Sequence, residues 1–279
     1  MTTVFIIILI ILVVLINCDL DYREKVQKSA EDGYGVTLSL LPDFKSKNDY
    51  KKYFQLIDEM SKINGAKISV KIRQLGENRD SQLRNFLDIV QYANQNNVFV
   101  WISTTVEDDE DDEMIFYEHA RGSGFRNIGI TLATNKPDIN DSVDNVLRKG
   151  GHIRLVKGYY KTSMTNQWNQ VGEVFKINAE KLLESHRYHV IATHDFDILT
   201  DLYRRYKGSR GWKTIEFGFF YSSLNYVQYM IKKRAIDFPT KSVYIPYGPF
   251  FNYFFDNISM IDLKHIIERK ISSLYYIIF

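Results

Sequence analysis

The stretch HIRLVKGYY, residues His152–Tyr160, decides how this sequence is interpreted. Its first part is a short and mainly apolar run, which predicts a strand buried on both faces of a parallel sheet. Arg154 and Lys157 stand near the end of that run, just before a glycine. Charges are seldom placed at the edge of such a core unless an anionic group lies there. If the sheet belongs to a β/α barrel, this edge is the rim at which ligands bind.

On both sides of this stretch, short β-rich runs alternate with amphipathic helical patterns such as Tyr50–Ile63, Gln82–Asn96, Gln170–His186 and Phe196–Tyr206. Strands that alternate with helices indicate βαβ units and a parallel sheet, and eight such units predict a closed (β/α)8 barrel of the TIM type. A doubly wound open sheet is the alternative, although Asn127 replaces the third glycine of its dinucleotide fingerprint. The predicted strands are Gly35–Leu41, Lys67–Ile72, Val98–Ser103, Asn127–Ala133, His152–Lys157, His189–Thr193, Thr214–Phe220 and Ser242–Pro246.

Composition agrees with one domain and excludes some function classes. The chain has 279 residues, enough for one β/α domain over residues 30–279, and its net charge of +2 gives no reason to expect nucleic-acid binding. The acidic run Glu107–Glu113 is either a cation-binding loop or a solvated loop that favours the start of a helix near Met114. We predict no metal site, because a charge run alone lacks the ligand spacing that metals need.

The N-terminus carries an apolar run, Val4–Ile16, that is short for a membrane span and suits the core of a signal peptide. Residues 1–18 are therefore predicted to be a signal peptide or a membrane anchor, which would direct the chain to the secretory route or hold it on a membrane. A buried strand is the alternative. Cys18 is the single cysteine, so the chain has no internal disulfide, and Asn140 and Asn257 lie in sequons that a secretory route would open to glycosylation.

The carboxyl ends of the predicted strands bring several polar side chains to one rim. Cationic donors there suit an anionic or electron-rich ligand. Other interpretations stay open, because the cations can pair with rim acids such as Asp195 or Glu216, and the histidine can be a hydrogen-bonded core residue. The charged or titratable residues predicted at the rim are Lys71, Arg154, Lys157 and His194.

These residues also carry a family resemblance. The segment Arg154–Tyr160, RLVKGYY, resembles the Arg-Leu-Val-Lys-Gly-Ala-Tyr segment of flavin-dependent proline dehydrogenases. Further stretches resemble that family in the same order along the chain, so the resemblance spans about Tyr34–Ile258. The chain therefore resembles a divergent member of the proline dehydrogenase family. Those stretches are Ile68–Gly76, Ala192–Asp195, Glu216–Tyr221, and Val243–Gly248 with Tyr253 beyond it.

The resemblance implies an activity: oxidation of L-proline to pyrroline-5-carboxylate, with hydride passing to FAD and electrons then passing to a quinone. It implies catalytic, substrate-side roles for Lys71, Tyr244 and Tyr253, although both tyrosines lie in an aromatic-rich region and plain packing is the alternative for each. It also implies a C-terminal helix near the barrel mouth. The residues that match the family's FAD site are Arg154, Val156, Lys157, Gly158, Tyr160, Thr193 and His194.

Departures from the family are concentrated on the substrate side. Asp256 and Asn257 stand where the family has two arginines that clamp the carboxylate of proline. Because an acid repels a carboxylate, we expect weakened or altered substrate recognition. The alternative function is a catalytically inactive barrel that acts as a secreted or membrane-anchored binding module. Further replaced positions are Ser103, Ala133, Tyr159, Gly218, Phe220 and Met260.

Overall fold

A computed structural model of the chain describes residues 22–41, 50–103, 110–158 and 167–248, with the backbone alone at 110–112 and 167–169. Within these ranges, eight parallel strands close into one barrel in chain order, β1 to β8. The closed ring confirms the predicted (β/α)8 barrel and excludes the open sheet. The residues of three predictions lie outside the described ranges: the N-terminal run Val4–Ile16, Cys18 and the C-terminal helix. Within those residues, no helix has both the length and the apolar character that crossing a bilayer requires.

The strands of the barrel are short and match the predicted runs to within two residues at each end. Because only the central part of each run pairs with both neighbours, most observed strands are slightly shorter than predicted. Their bounds are β1 Gly35–Leu40, β2 Lys67–Val70, β3 Phe99–Ile102, β4 Ile128–Ala133, β5 Ile153–Val156, β6 His189–Ala192, β7 Ile215–Phe220 and β8 Lys241–Tyr247.

Helices connect the strands around the outside of the barrel. Short 3₁₀ turns follow β2 at Ile72–Leu75 and β7 at Tyr221–Ser223. Among the described residues the α-helices are α1 Tyr22–Glu31, α2 Tyr50–Met60, α3 Arg79–Gln95, α4 Glu110–Gly122, α5 Ile139–Arg148, α6 Gln167–Glu184, α7 Phe196–Tyr206, α8 Arg210–Thr214 and α9 Leu224–Arg234.

Capping residues explain where two of these helices begin. Asn78 and Ser81 form a reciprocal capping box, which starts α3 three residues before the predicted Gln82. Asp195 accepts the backbone N–H groups of Asp197 and Ile198 and thereby starts α7 at the predicted residue. Helix α4 begins at Glu110, inside the acidic run, rather than near Met114. Carboxylates are favoured at that position because the helix N-terminus is electropositive.

The two faces of the strands differ in chemistry. Residues that face the helices, such as Leu38, Ile68, Ile130 and Leu155, are fully buried and form the apolar core. The alternate residues face the barrel interior, and the pairing between strands keeps them on one side all the way round. Many of these inward residues are small or polar, whereas bulky branched side chains usually fill such a barrel.

Candidate functional site

Arg154 lies inside the barrel, where its side chain spans the interior from β5. Its Nε donates to Thr131 Oγ1 on β4 at 2.9 Å. Its Nη2 donates to Ser69 Oγ on β2 at 3.1 Å and to Ser103 Oγ, just beyond β3, at 3.3 Å. Because Ser103 follows the end of its strand, the guanidinium reaches toward the carboxyl-terminal mouth of the barrel.

The charged guanidinium of Arg154 donates its hydrogen bonds to neutral hydroxyl groups. Among the described residues it forms no ion pair, and its buried Nη1 donates no hydrogen bond. Burial lowers the pKa of Arg154 below its ordinary value, while Tyr244, Tyr188 and Glu216 oppose that shift by favouring the charged form. A buried charge without an anionic partner is costly. The guanidinium is therefore suited to an electron-rich ligand that accepts from Nη1.

Aromatic rings surround the same guanidinium. Its central carbon lies 5.7 Å from the ring centre of Trp101 and 5.3 Å from that of Tyr244, within the range of cation–π attraction. Phe220 meets Tyr244 edge to face, with ring centres 5.6 Å apart, and it is exposed at the end of β7. The interior near Arg154 thus combines a cation with flat apolar surfaces.

A row of small side chains lines the wall beside Arg154. Neighbouring strands pair Ala133 with Val156, Val156 with Ala192, Ala192 with Gly218, and Gly218 with Ser242. All of these residues face inward. Apart from Val156, these side chains fill less of the interior than the branched residues usual in barrels. Ala133 and Gly218, two positions at which the sequence departs from the family it resembles, both belong to this row.

Lys71 and Tyr244 are brought together with Arg154. Lys71 follows β2 and is only 2% exposed, and its backbone N–H donates to Tyr53 Oη at 3.1 Å. Burial by itself raises the pKa of Tyr244, but the charges of Lys71 and Arg154 outweigh it, so that the pKa of this phenol lies below its ordinary value. Of the rim residues predicted from the sequence, these three form one cluster.

His194 is oriented by a hydrogen bond from the main chain. The backbone N–H of Phe220 donates to His194 Nε2 at 3.2 Å, so a neutral ring carries its proton on Nδ1. The imidazole also stacks on the Phe220 ring, with centres 5.5 Å apart and planes only 5° apart. Thr193 Oγ1 accepts the backbone N–H of Asp195 at 3.1 Å. The strand end that carries both candidates is thus well ordered by local contacts.

Lys157 does not join the Arg154 cluster. Side chains alternate along a strand, so residues three apart point to opposite sides of the sheet. Lys157 Nζ pairs with Asp195 Oδ2 at 2.5 Å, and Asp195 also caps α7. Burial raises the pKa of Asp195, but the Lys157 contact and the backbone N–H groups outweigh it and hold the value below the ordinary one. The pairing with a rim acid, which the sequence left open, is the observed arrangement for this lysine.

Gly158 has a conformation that explains its residue type. Its φ is +89°, and a Cβ built there would collide with the side-chain amide of Asn135. The turn after β5 therefore requires glycine. Val156 faces inward, between Ala133 and Ala192 on the paired strands. The remaining predicted site residues, Tyr160 and Tyr253, lie outside the described residues, as do Asp256 and Asn257.

Sequence reasoning missed several interior residues. The hydroxyls of Ser69 and Thr131 hold Arg154, and Lys67 Nζ pairs with Glu216 Oε2 at 2.8 Å deeper in the barrel. Tyr188 Oη also donates to that carboxylate, at 3.3 Å. A signal was present, because polar residues occupy every second position of Lys67–Lys71 and mark one face of β2 as polar.

Comparison with solved structures identifies similar folds, although no protein-family model and no curated protein sequence matches the chain. The structure of proline utilization A from Corynebacterium freiburgense superimposes with a TM-score of 0.68 at 13% identity, over 91% of this chain and 31% of that protein. Proline utilization A from Bdellovibrio bacteriovorus, inactivated by N-propargylglycine, gives a TM-score of 0.67 at 15% identity, over 80% and 29%. A mutant from Bradyrhizobium japonicum gives 0.63 at 16% identity, over 88% and 29%.

The similarity covers only part of each of these solved proteins. The chain corresponds to less than a third of the length of each of these proteins. At such low identity the comparison speaks for the fold and not for the activity. The expected proline-dehydrogenase-like barrel fold is therefore confirmed.

Proposed function

We propose that this chain is a flavin-dependent oxidoreductase of the proline dehydrogenase type, with FAD as its cofactor and altered substrate recognition. The observation that carries the proposal is the Arg154 guanidinium, held in the barrel by three hydroxyl groups with Nη1 left without a partner among the described residues. An aromatic, electron-rich ring with hydrogen-bond acceptors satisfies both the charge and the unmet donor.

Most of the residues at the mouth of the barrel suit a flavin. The row of small inward residues gives a planar ring more room than a barrel filled with branched side chains, and Arg154 supplies a donor with positive charge. His194 lies at the same end of the barrel, where its Nε2 accepts the backbone N–H of Phe220. Lys157 fits less well, because Asp195 already neutralises it.

FAD supplies a ring that accepts a hydride from a carbon next to an amine nitrogen. Arg154 would stabilise the negative charge that the reduced ring gains, since a preorganised donor needs no rearrangement. Tyr244 Oη would hold or accept the proton that the amine releases, because Lys71 and Arg154 favour its ionised form. Lys71 would keep that phenol oriented by its charge.

The proposed substrate is a small secondary amine, proline or an analogue, and a quinone is the proposed electron acceptor. The sequence resemblance to proline dehydrogenases supports a proline-like ligand, since Lys71 and Tyr244 match substrate-side residues of that family. Asp256 disfavours a carboxylate in the family's manner, so an amine without a carboxylate is the favoured variant of the substrate.

The test begins with the absorbance spectrum of the purified protein, with and without added FAD. Bound flavin gives a band at about 450 nm, a property of the oxidised ring itself. Dye reduction is then measured with L-proline and with pyrrolidine, the same ring without the carboxylate. Protein that remains colourless after incubation with FAD would contradict the proposal, and reduction by pyrrolidine but not by L-proline would support altered recognition.

An inactive barrel that serves as a binding module is the second candidate. The Lys157–Asp195 ion pair favours it, because one of the cations that a cofactor would use is already engaged. For this candidate we propose delivery by residues 1–18 to the secretory route or to a membrane. N-terminal sequencing after expression in a secretory host tests that delivery, and flavin binding without any dye reduction would support an inactive barrel.

A further inference from the structure

Arg154 and Glu216 are placed where an ion pair between them is expected. Both face inward on one row of paired residues, with Val190 between them on β6. Adjacent strands lie about 4.8 Å apart, so the Cα atoms of the two residues are separated by roughly 10 Å. The combined length of the two side chains can bridge that distance. The described structure nevertheless has no ion pair between them.

Lys67 forms an ion pair with the Glu216 carboxylate instead. Lys67 Nζ lies 2.8 Å from Glu216 Oε2, and the side chains are only 8% and 4% exposed. Gly35 lies beside this contact: a Cβ at that position would be 3.1 Å from Lys67 Nζ, which is tight, and 3.5 Å from Glu216 Oε2, which is ordinary contact. Glycine at the start of β1 therefore leaves the space into which the ammonium reaches.

Arg154 and Glu216 each have one side-chain atom that is available for an ion pair between them. Glu216 Oε1 and Arg154 Nη1 are both buried and have no hydrogen-bond partner among the described residues. If the ammonium were absent, the buried carboxylate would need another cation, and Arg154 is the one on its own row. The present arrangement thus depends on which cation Glu216 binds.

We propose that Lys67 is a positioning residue: by binding Glu216 it keeps that carboxylate from Arg154, so that the guanidinium stays with Ser69, Ser103 and Thr131 near the barrel mouth. The consequence for flavin binding rests on the proposed function. The orientation of Arg154 does not, because it can be observed in the protein without any ligand.

The test compares Lys67→Met with the double variant Lys67→Met/Glu216→Gln. In the single variant Arg154 should turn toward Glu216, which a crystal structure of the full chain would show. FAD affinity, measured by quenching of flavin fluorescence, should fall about 10- to 100-fold, the effect of one lost charge-assisted hydrogen bond. The double variant should restore both the orientation and the affinity, because no carboxylate remains to attract Arg154.

Tyr188→Phe is the matched control. It removes the other hydrogen bond to Glu216 without changing any charge, so Arg154 should keep its hydroxyl partners. Wild-type protein that binds no FAD would refute the flavin proposal, while a turned Arg154 in Lys67→Met would still support the positioning role. Wild-type binding of FAD with Arg154 unmoved in Lys67→Met, or a double variant as weak as the single one, would overturn the inference.

Discussion

Acidification should destabilise this barrel through His189, the first residue of β6. The backbone N–H of Ile153 donates to His189 Nδ1 at 3.0 Å, and His189 Nε2 lies 2.9 Å from Ser185 Oγ. Since Ser185 Oγ donates to the carbonyl of Leu182, it accepts from Nε2, and the neutral ring satisfies both nitrogens. A second proton on Nδ1 would face the Ile153 N–H group. Burial, helped by the charges of His152 and Arg187, lowers the pKa of His189 to about 3.

The size of the effect follows from linkage. The pKa of His189 is depressed in the folded state, so its contribution is complete above the unfolded value of about 6.5 and is lost as the pH falls toward about 3. Between pH 7 and pH 5 His189 gains a proton in the unfolded chain but not in the folded chain. This difference lowers the free energy of unfolding by about 2 kcal/mol. The lowered pKa of His152, caused mainly by burial, adds to the loss with the same sign.

Urea unfolding at several pH values measures this slope. His189→Asn is the comparison variant, because its Oδ1 can accept the Ile153 N–H group without titrating. Carboxylates contribute equally to both proteins, so the difference between the two curves isolates the histidine. We expect the free energy of unfolding of the variant to fall less between pH 7 and pH 5 by about 2 kcal/mol. Parallel curves would refute the reasoning.

Three substitutions test the site itself. Arg154→Lys keeps a charge but loses the planar fork of donors, so FAD affinity in a fluorescence titration should fall by about 10- to 100-fold, and unchanged affinity would contradict the role of Nη1. Gly158→Ala should lower the free energy of unfolding by about 1–3 kcal/mol, since it adds a clash with Asn135 to the strain of a positive φ. Gly33→Ala is the control for strain alone, because Gly33 has φ +77° and no atom lies within 4 Å of the added Cβ. If both variants lost the same free energy of unfolding, the clash would be excluded. Asp195→Asn should release Lys157 and strengthen binding of FAD relative to riboflavin, which lacks phosphate, and equal changes for both ligands would argue against a phosphate role for Lys157.

The barrel could be predicted from the sequence because its signals are local. Each strand carries apolar residues on the face that meets the helices, and each helix has its own periodicity, so neighbouring residues decide these elements. Helix α7 begins at the predicted Phe196 because its capping residue, Asp195, directly precedes it. Helix α3 begins earlier than predicted, since its capping residue Asn78 precedes the first apolar residue. Helix α4 also begins earlier than predicted, at an acidic residue before the first apolar one.

The site was only partly predictable because its partners come from distant strands. Arg154 and Ser69 are 85 residues apart, and Lys157 and Asp195 are 38 apart. No local pattern states that a lysine after β5 meets the cap of a helix that follows β6. One local signal was available, however. The spacing of three between Arg154 and Lys157 already places them on opposite faces of a strand, which argues against a common cluster.

The charges of the interior support a binding site rather than an ordinary core. Lys67 and Glu216 neutralise each other, which leaves Arg154 as a buried cation whose described partners are neutral hydroxyls. Replacing such a residue by an apolar one is often neutral or stabilising, so stability alone does not favour a guanidinium here. Costly buried charges are concentrated at functional sites, where they act on a ligand. The arrangement is therefore explained if the barrel binds an electron-rich partner at Arg154 Nη1, which is why the flavin titrations of Arg154 and Lys67 variants are the decisive measurements.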